Sequence, residues 1–176
     1  MKFTTPLAFL CAISSASGLV IVRDLKTVTG ALSSVQTGID NLDAAFKQWT
    51  SDLAPLLDAA NKLNAAITGG TSTVSGTTPL TLIEAIRIIR PVQELEDHAK
   101  TLVSTLKGKK QQIVQANLCQ IISSQIGTID TNSQALTKAT VAKVPQVAQG
   151  VATQVAKGIL DVLADAKNEF SAQNCK

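Results

Sequence analysis

Aromatic residues are scarce in this chain: 3% of 176 residues, with no tyrosine, one tryptophan and four phenylalanines. That scarcity excludes the stacking faces on which carbohydrate-binding modules and single-strand nucleic-acid binders depend. Charge is thin as well. Charged residues make up 16%, below the roughly 25% usual in globular proteins. A formal net charge of +3 is too small for a dedicated nucleic-acid binder. A single histidine leaves little material for acid–base catalysis near neutral pH. The chain contains no Gly-x-Ser-x-Gly elbow, no Gly-rich phosphate loop and no Asn-x-Ser/Thr sequon. What it has in plenty is aliphatic: hydrophobic residues reach 45%. That is too apolar for disorder, and the length is enough for one domain with a real core.

Residues 1–18 read as a secretory signal peptide. Lys2 supplies the positive start, Pro6 to Ile13 the apolar stretch, and Ser14 to Gly18 the small residues at which cleavage is expected, after Gly18. The apolar stretch is too short to span a bilayer, and Arg23 and Asp24 follow it closely. No transmembrane segment is therefore expected. Without the leader, Phe3, Phe9 and Cys11 are gone, leaving Phe46, Trp49 and Phe170 as aromatics. Cys119 and Cys175 remain, and an even count in a secreted chain predicts one disulfide between them. It would close a long loop and contribute roughly 3–4.5 kcal/mol in the chain-entropy account. No hydrophobic tail is seen at the C-terminus, so a lipid anchor there is not expected.

Residues 19–176 read as one domain that is helical throughout. Leu25, Val28, Leu32, Val35, Ile39, Leu42, Phe46 and Trp49 alternate spacings of three and four, the signature of one buried helical face. The register continues through Leu53, Leu56, Ala60, Leu63 and Ile67. Pro55 interrupts it with either a kink near Ser51–Pro55 or a new helix capped by Ser51 or Asp52. Gly69 and Gly70 predict a helix end, with residues 68–79 as a flexible Gly/Ser/Thr linker open to O-linked sugars. Thr81 and Glu84 form a capping box for the next helix, which Pro91 should kink. Lys107-Gly108-Lys109-Lys110 reads as a basic turn, free to touch acidic headgroups or simply solvated. A fourth helix carries Val114, Leu118, Ile121, Ile122, Ile126, Ile129 and Leu136. The last carries Val147, Val151, Val155, Ile159, Val162, Ala166 and Phe170. The expected fold is an all-α antiparallel bundle of about five amphipathic helices, some kinked at proline.

Small or polar residues stand at interior-facing positions: Ala31, Gly38, Ala60, Ala99, Gln125 and Gly158. They allow close helix approach, and with few large side chains they also allow an unfilled apolar core. Chemistry is harder to find. Glu94 and His98 share a helical face, but two ligands without a second histidine make neither a zinc nor a di-iron site. No catalytic residue, metal or cofactor is expected, and the chain does not read as an enzyme.

The residues from the leader onward resemble the fungal hydrophobic surface binding protein A family, also called cell wall galactomannoproteins. The resemblance rests on an ordered series. A heptad-like helix ends in Asp43-Ala44-Ala45-Phe46-Lys47-Gln48-Trp49, and a Gly/Ser/Thr stretch follows. Then come Arg90-Pro91-Val92-Gln93-Glu94-Leu95, the Lys107-Gly108-Lys109-Lys110 turn, Leu136-Thr137-Lys138-Ala139 with Lys143-Val144-Pro145, and a final helix ending at Phe170. The resemblance implies a secreted or wall-associated, non-enzymatic bundle. Some members adsorb to hydrophobic surfaces and recruit secreted esterases; related mannoproteins enclose fatty acids between helices. The chain stops at Lys176 without a Ser/Thr-rich tail, which favours a soluble form.

The family marks no lipid-contacting positions by a motif, so candidates come from helical periodicity. They are Leu42, Phe46, Trp49, Leu53, Ile86, Ile89, Leu102, Ile122, Ile126, Val155 and Ile159. Two mechanisms are open: helices that spread on an apolar surface or lipid, and a closed bundle that holds one acyl chain. A structural wall protein or secreted effector acting through protein contacts is a third.

Overall fold

The computed structural model describes the backbone of residues 16–176 and side chains from Asp24 onward. The predicted leader lies outside the described residues except for 16–18, which open the first helix. Helix α1 spans Ala16–Gln48, α2 Ala54–Ser75, α3 Leu82–Gly108, α4 Lys110–Gln115, α5 Cys119–Lys143 and α6 Gln149–Glu169. A 3-10 turn, Gln146–Ala148, leads into α6. There is no strand among the described residues, and none of their helices is long and apolar enough to cross a membrane.

Local chemistry accounts for most boundaries. Pro55 sits in the first turn of a new helix, where its missing N–H costs nothing. The Asp52 carboxylate, Oδ1, accepts from the Ala54 amide at 3.0 Å and holds that entry. The capping box forms as predicted: Thr81 N donates to Glu84 Oε2 at 2.8 Å, and Glu84 N donates to Thr81 Oγ1 at 3.3 Å. Helix α3 runs on through Pro91. Asn117 turns the chain between α4 and α5 in the left-handed region, φ 59°, which asparagine tolerates better than most residues.

The linker expectation is corrected. Helix α2 passes through Gly69 and Gly70 and ends at Ser75, so residues 76–81 alone join it to α3. Packing overrides the weak propensity of the glycines. Gly70 and Val74 are buried, and a methyl on Gly70 would make ordinary contact with Ala31 and Leu136. The linker itself is pinned: Leu80 N donates to the Lys143 carbonyl at 2.7 Å, and Lys143 Nζ donates to the Ser75 and Thr77 carbonyls.

Five long helices close a ring. Helix α1 packs on α2 and α3, α2 on α5, α3 on α6, and α5 on α6. Around the ring the order is α2, α1, α3, α6, α5, then α2 again. Helices α1, α3 and α6 run one way, α2 and α5 the other. The short α4 crosses one end, where the α1–α2 turn also lies: Lys109 Nζ donates to the Trp49 carbonyl and Gln112 Nε2 to that of Thr50. The predicted disulfide joins Cys119, the first residue of α5, to Cys175 behind the fully buried Phe170. It fixes the tail after α6 to the end of the ring that α4 covers.

Candidate functional site

The inward faces of the ring are aliphatic, and side chains of this size do not fill it. A cavity of about 90 Å³ lies among all five long helices. Its walls include Leu32 and Ile39 of α1, Leu63 of α2, Ile88 and Ala99 of α3, Leu136 of α5, and Ala156 and Ile159 of α6. A second cavity of about 60 Å³ lies nearer the α1–α2 turn, lined by Phe46, Leu56, Leu106 and Ile126 among others. Leu102, Val103, Ile129 and Leu163 border both. The two are therefore end-to-end chambers separated by one layer of aliphatic side chains.

Small residues make this possible. Alanines 85, 99, 152 and 156 stand on the wall of the larger chamber where a bulkier side chain would fill it. Phe46 is the one aromatic on either wall.

Polar groups on the walls are few and concentrated. Ser133, Thr137 and Thr140 stand on the larger chamber's wall at i, i+4 and i+7 of α5, one above another on a single face. The Thr140 hydroxyl donates to the Leu136 carbonyl at 2.8 Å. The hydroxyls of Ser133 and Thr137 make no hydrogen bond within the described residues, so both remain available to a polar head. No titratable side chain lines either chamber. The site can solvate an acyl chain and offer hydroxyls to a head group; it has no acid, base or nucleophile activated for chemistry.

Charged residues instead tie the ring together from outside. Lys167 Nζ meets the buried Asp130 carboxylate at 2.6 Å, joining α6 to α5. The Lys107–Gly108–Lys109–Lys110 turn is not free for headgroups. Lys107 pairs with Asp165 at 2.7 Å, Lys109 caps the Trp49 carbonyl, and Lys110 pairs with Glu169. His98 joins α3 to α1, its Nδ1 2.5 Å from Asp40 Oδ1 and its Nε2 2.9 Å from Gln36 Nε2. No cluster of metal-ligating side chains occurs among the described residues.

The residues picked out by periodicity fall in three places. Leu42, Phe46, Leu53, Ile122 and Ile126 line the smaller chamber; Ile89, Val155 and Ile159 line the larger; Leu102 borders both. Trp49 is buried but lines neither, because it closes the α1–α2 end under α4. Ile86 lines neither chamber: it is 59% exposed, since α3 turns Ala85, Ile88 and Val92 inward and leaves Ile86 on its outer flank, where only an external apolar surface could reach it. Val147 and Val151, in the apolar set of the last helix, are also exposed. Apolar periodicity alone does not disclose the hydroxyl row on α5. Reading Ser133, Thr137 and Thr140 as a row interleaved with Ile129 and Leu136 finds it.

Comparison with known proteins agrees with this architecture. Cell wall mannoprotein 1 of Aspergillus fumigatus is 26% identical over 160 residues, which is 90% of this chain. The chain spans only 56% of that relative's length. Its fold is similar to ligand binding domain 1 of the Penicillium marneffei MP1 protein, solved with arachidonic acids. The TM-score is 0.80 at 19% identity, covering 85% of this chain and 99% of that one. It is similar too to AFMP4P solved in complex with palmitic acid, with a TM-score of 0.77, 21% identity, and coverage of 84% and 99%. At these identities the structures establish the fold. The sequence profile of hydrophobic surface binding protein A matches residues 25–142. A match over that much of the chain makes it a member of the hydrophobic surface binding protein A family.

Proposed function

We propose that this protein holds one long acyl chain, that of a fatty acid, inside its helical ring, and works outside the cell in association with the wall. The observation that carries the reading is the closed ring around two end-to-end aliphatic chambers without a titratable group. Similar folds solved with arachidonic and palmitic acids support the ligand class, and mannoprotein relatives support the location. Burial contributes about 0.8 kcal/mol per methylene, enough over a long chain to exceed the cost of immobilising it. The Ser133 and Thr137 hydroxyls would donate to the carboxylate, which keeps a charged head at the wall of the ring and the tail within it.

The chambers offer about 90 and 60 Å³ to the centre of a water-sized sphere, a scale on which one water needs about 10–15 Å³. A long acyl chain needs both chambers joined. Binding therefore requires the layer of Leu102, Val103, Ile129 and Leu163 to turn aside. Aliphatic rotamers and packing between neighbouring helices allow such a shift at modest cost, where a core of interlocked aromatics would resist it.

Adsorption to an apolar surface, with recruitment of secreted esterases, is the second reading. Exposed aliphatic residues at one end of the bundle favour its first half. Extraction of the purified protein with organic solvent, followed by mass spectrometry, separates the two. Fatty acid near one per chain is expected; a lipid-free protein that takes up none from solution yet coats polyester would overturn the cavity reading.

A further inference from the structure

Six large hydrophobic residues stand exposed among the described residues, and five of them gather at one end of the ring. Leu82, Ile83 and Ile86 occupy the first turns of α3, while Val147 lies in the 3-10 turn before α6 and Val151 in the first turn of α6. Helices α3 and α6 are neighbours running the same way, so these two groups flank the same seam. The exposures are large: 65% for Ile83, 59% for Ile86, 86% for Val147 and 58% for Val151.

The patch is continuous with the larger chamber. One turn beyond Ile86 is Ile89, and one turn beyond Val151 is Val155; both line the chamber and are half-buried. An apolar path thus leads from the outer surface into the core along the α3–α6 seam. The ion pair across that seam, Lys107–Asp165, lies at its far end.

Positive charge prevails around the patch. Arg87, one turn after Ile83, has no anionic partner among the described residues. Arg90, one turn after Ile86, is 87% exposed at its side chain and pairs only with Glu94 on its own helix. Glu84 is the only acid in residues 76–93 and is buried in the capping box; residues 131–160 contain none. Asp24, at the same end on α1, is the one acid that faces it and accepts a hydrogen bond from Thr78, so Arg87 carries the unpaired charge of the patch.

We infer that this end of the bundle docks on an anionic lipid surface and that the α3–α6 seam is the door through which an acyl chain passes. The inference rests on the cavity reading for what passes, but the docking itself does not. Aliphatic side chains enter the headgroup–acyl boundary while the arginines meet lipid phosphates, the arrangement of an interfacial helix. Ile89 and Val155 then face the acyl region directly.

The test is flotation of the purified protein with phosphatidylcholine vesicles, with and without phosphatidylglycerol, together with stopped-flow transfer of a fluorescent fatty acid from the same vesicles. Wild type is expected to float with the anionic vesicles. The double variant Ile83→Asp, Val147→Asp changes two outward side chains, and an acid in the first turn of α3 suits the helix dipole. It is expected to partition about tenfold less or weaker still and to take up lipid from vesicles more slowly. Its capacity for fatty acid added from solution is expected to stay unchanged. Arg87→Gln is expected to cost about fivefold on anionic vesicles and nothing on zwitterionic ones. Unchanged partitioning and transfer in the double variant would overturn the docking site and leave the cavity reading intact. The same holds if wild type fails to float and is found as a dimer buried through this patch. Flotation lost in the double variant, with no fatty-acid uptake from any source, would support docking and overturn the cavity reading.

Discussion

Gly38 of α1 lies so close to Leu63 of α2 that a methyl on it would sit 3.0 Å from Leu63 Cδ1 and 3.2 Å from the Leu63 Cα. Leu63 is 1% exposed and lines the larger chamber. The close approach sets the distance between the two helices at the chamber wall. Gly38→Ala gains up to about 1 kcal/mol of helix propensity. It must also push apart two backbones, and overpacking of this kind costs about 1–3 kcal/mol. A net loss of stability is expected in thermal unfolding. Gly158→Ala is the control. The atoms nearest its new methyl belong to the carboxylate end of Glu96, which can swing away, so no loss is expected there. A rise in melting temperature for Gly38→Ala would show that α1 and α2 are not held at this spacing.

Gly69 tests the corrected end of α2. A methyl at Gly69 would meet nothing within 4 Å, and the residue is in mid-helix. Gly69→Ala is expected to stabilise by about 0.8–1 kcal/mol, read as a higher midpoint in urea unfolding. Were residues 68–79 the loop that the sequence predicts, the substitution would yield little of this gain.

That comparison also shows what a sequence discloses in this fold. Period and caps are local, so the stripe from Leu25 to Ile67, the Thr81–Glu84 box and the Lys107–Lys110 turn could all be read directly. Gly69–Gly70 misled because a long-range contact, Gly70 against Ala31 and Leu136, decides the matter. The exposure of Ile86, Val147 and Val151 is not legible for a related reason. An apolar stripe near a helix end says which face is greasy, whereas only the neighbouring helix says where burial stops. The cavity was foreseeable as a shortage of large side chains, but its position depends on the order of helices around the ring.

Asp43 supplies a pH dependence with a definite sign. Burial by itself would raise its carboxyl, but hydrogen bonds from Lys47 and Thr105, with the Lys47 charge, outweigh burial and hold it below its ordinary value. A carboxyl lowered on folding stabilises above its unfolded pKa, about 4, and the contribution is lost as pH falls through the folded value. Asp43→Asn is therefore expected to flatten the acid limb of the melting-temperature curve below about pH 4. Near neutral pH the variant should melt lower than wild type by a constant amount. Parallel acid limbs in the two proteins would remove Asp43 from the account.

The central claim, that an acyl chain is held within the ring, is tested most directly by calorimetric titration of delipidated protein with palmitate, in wild type and in Ala156→Leu. Ala156 is 8% exposed and faces the larger chamber. A leucine there fills part of the about 90 Å³ now open, and cavity filling keeps a fold or slightly stabilises it. The account predicts saturation near one palmitate per chain in wild type, and affinity reduced about tenfold or more in the variant, the equivalent of losing two buried methylenes. Equal affinity in the two proteins, with the variant folded, would contradict it.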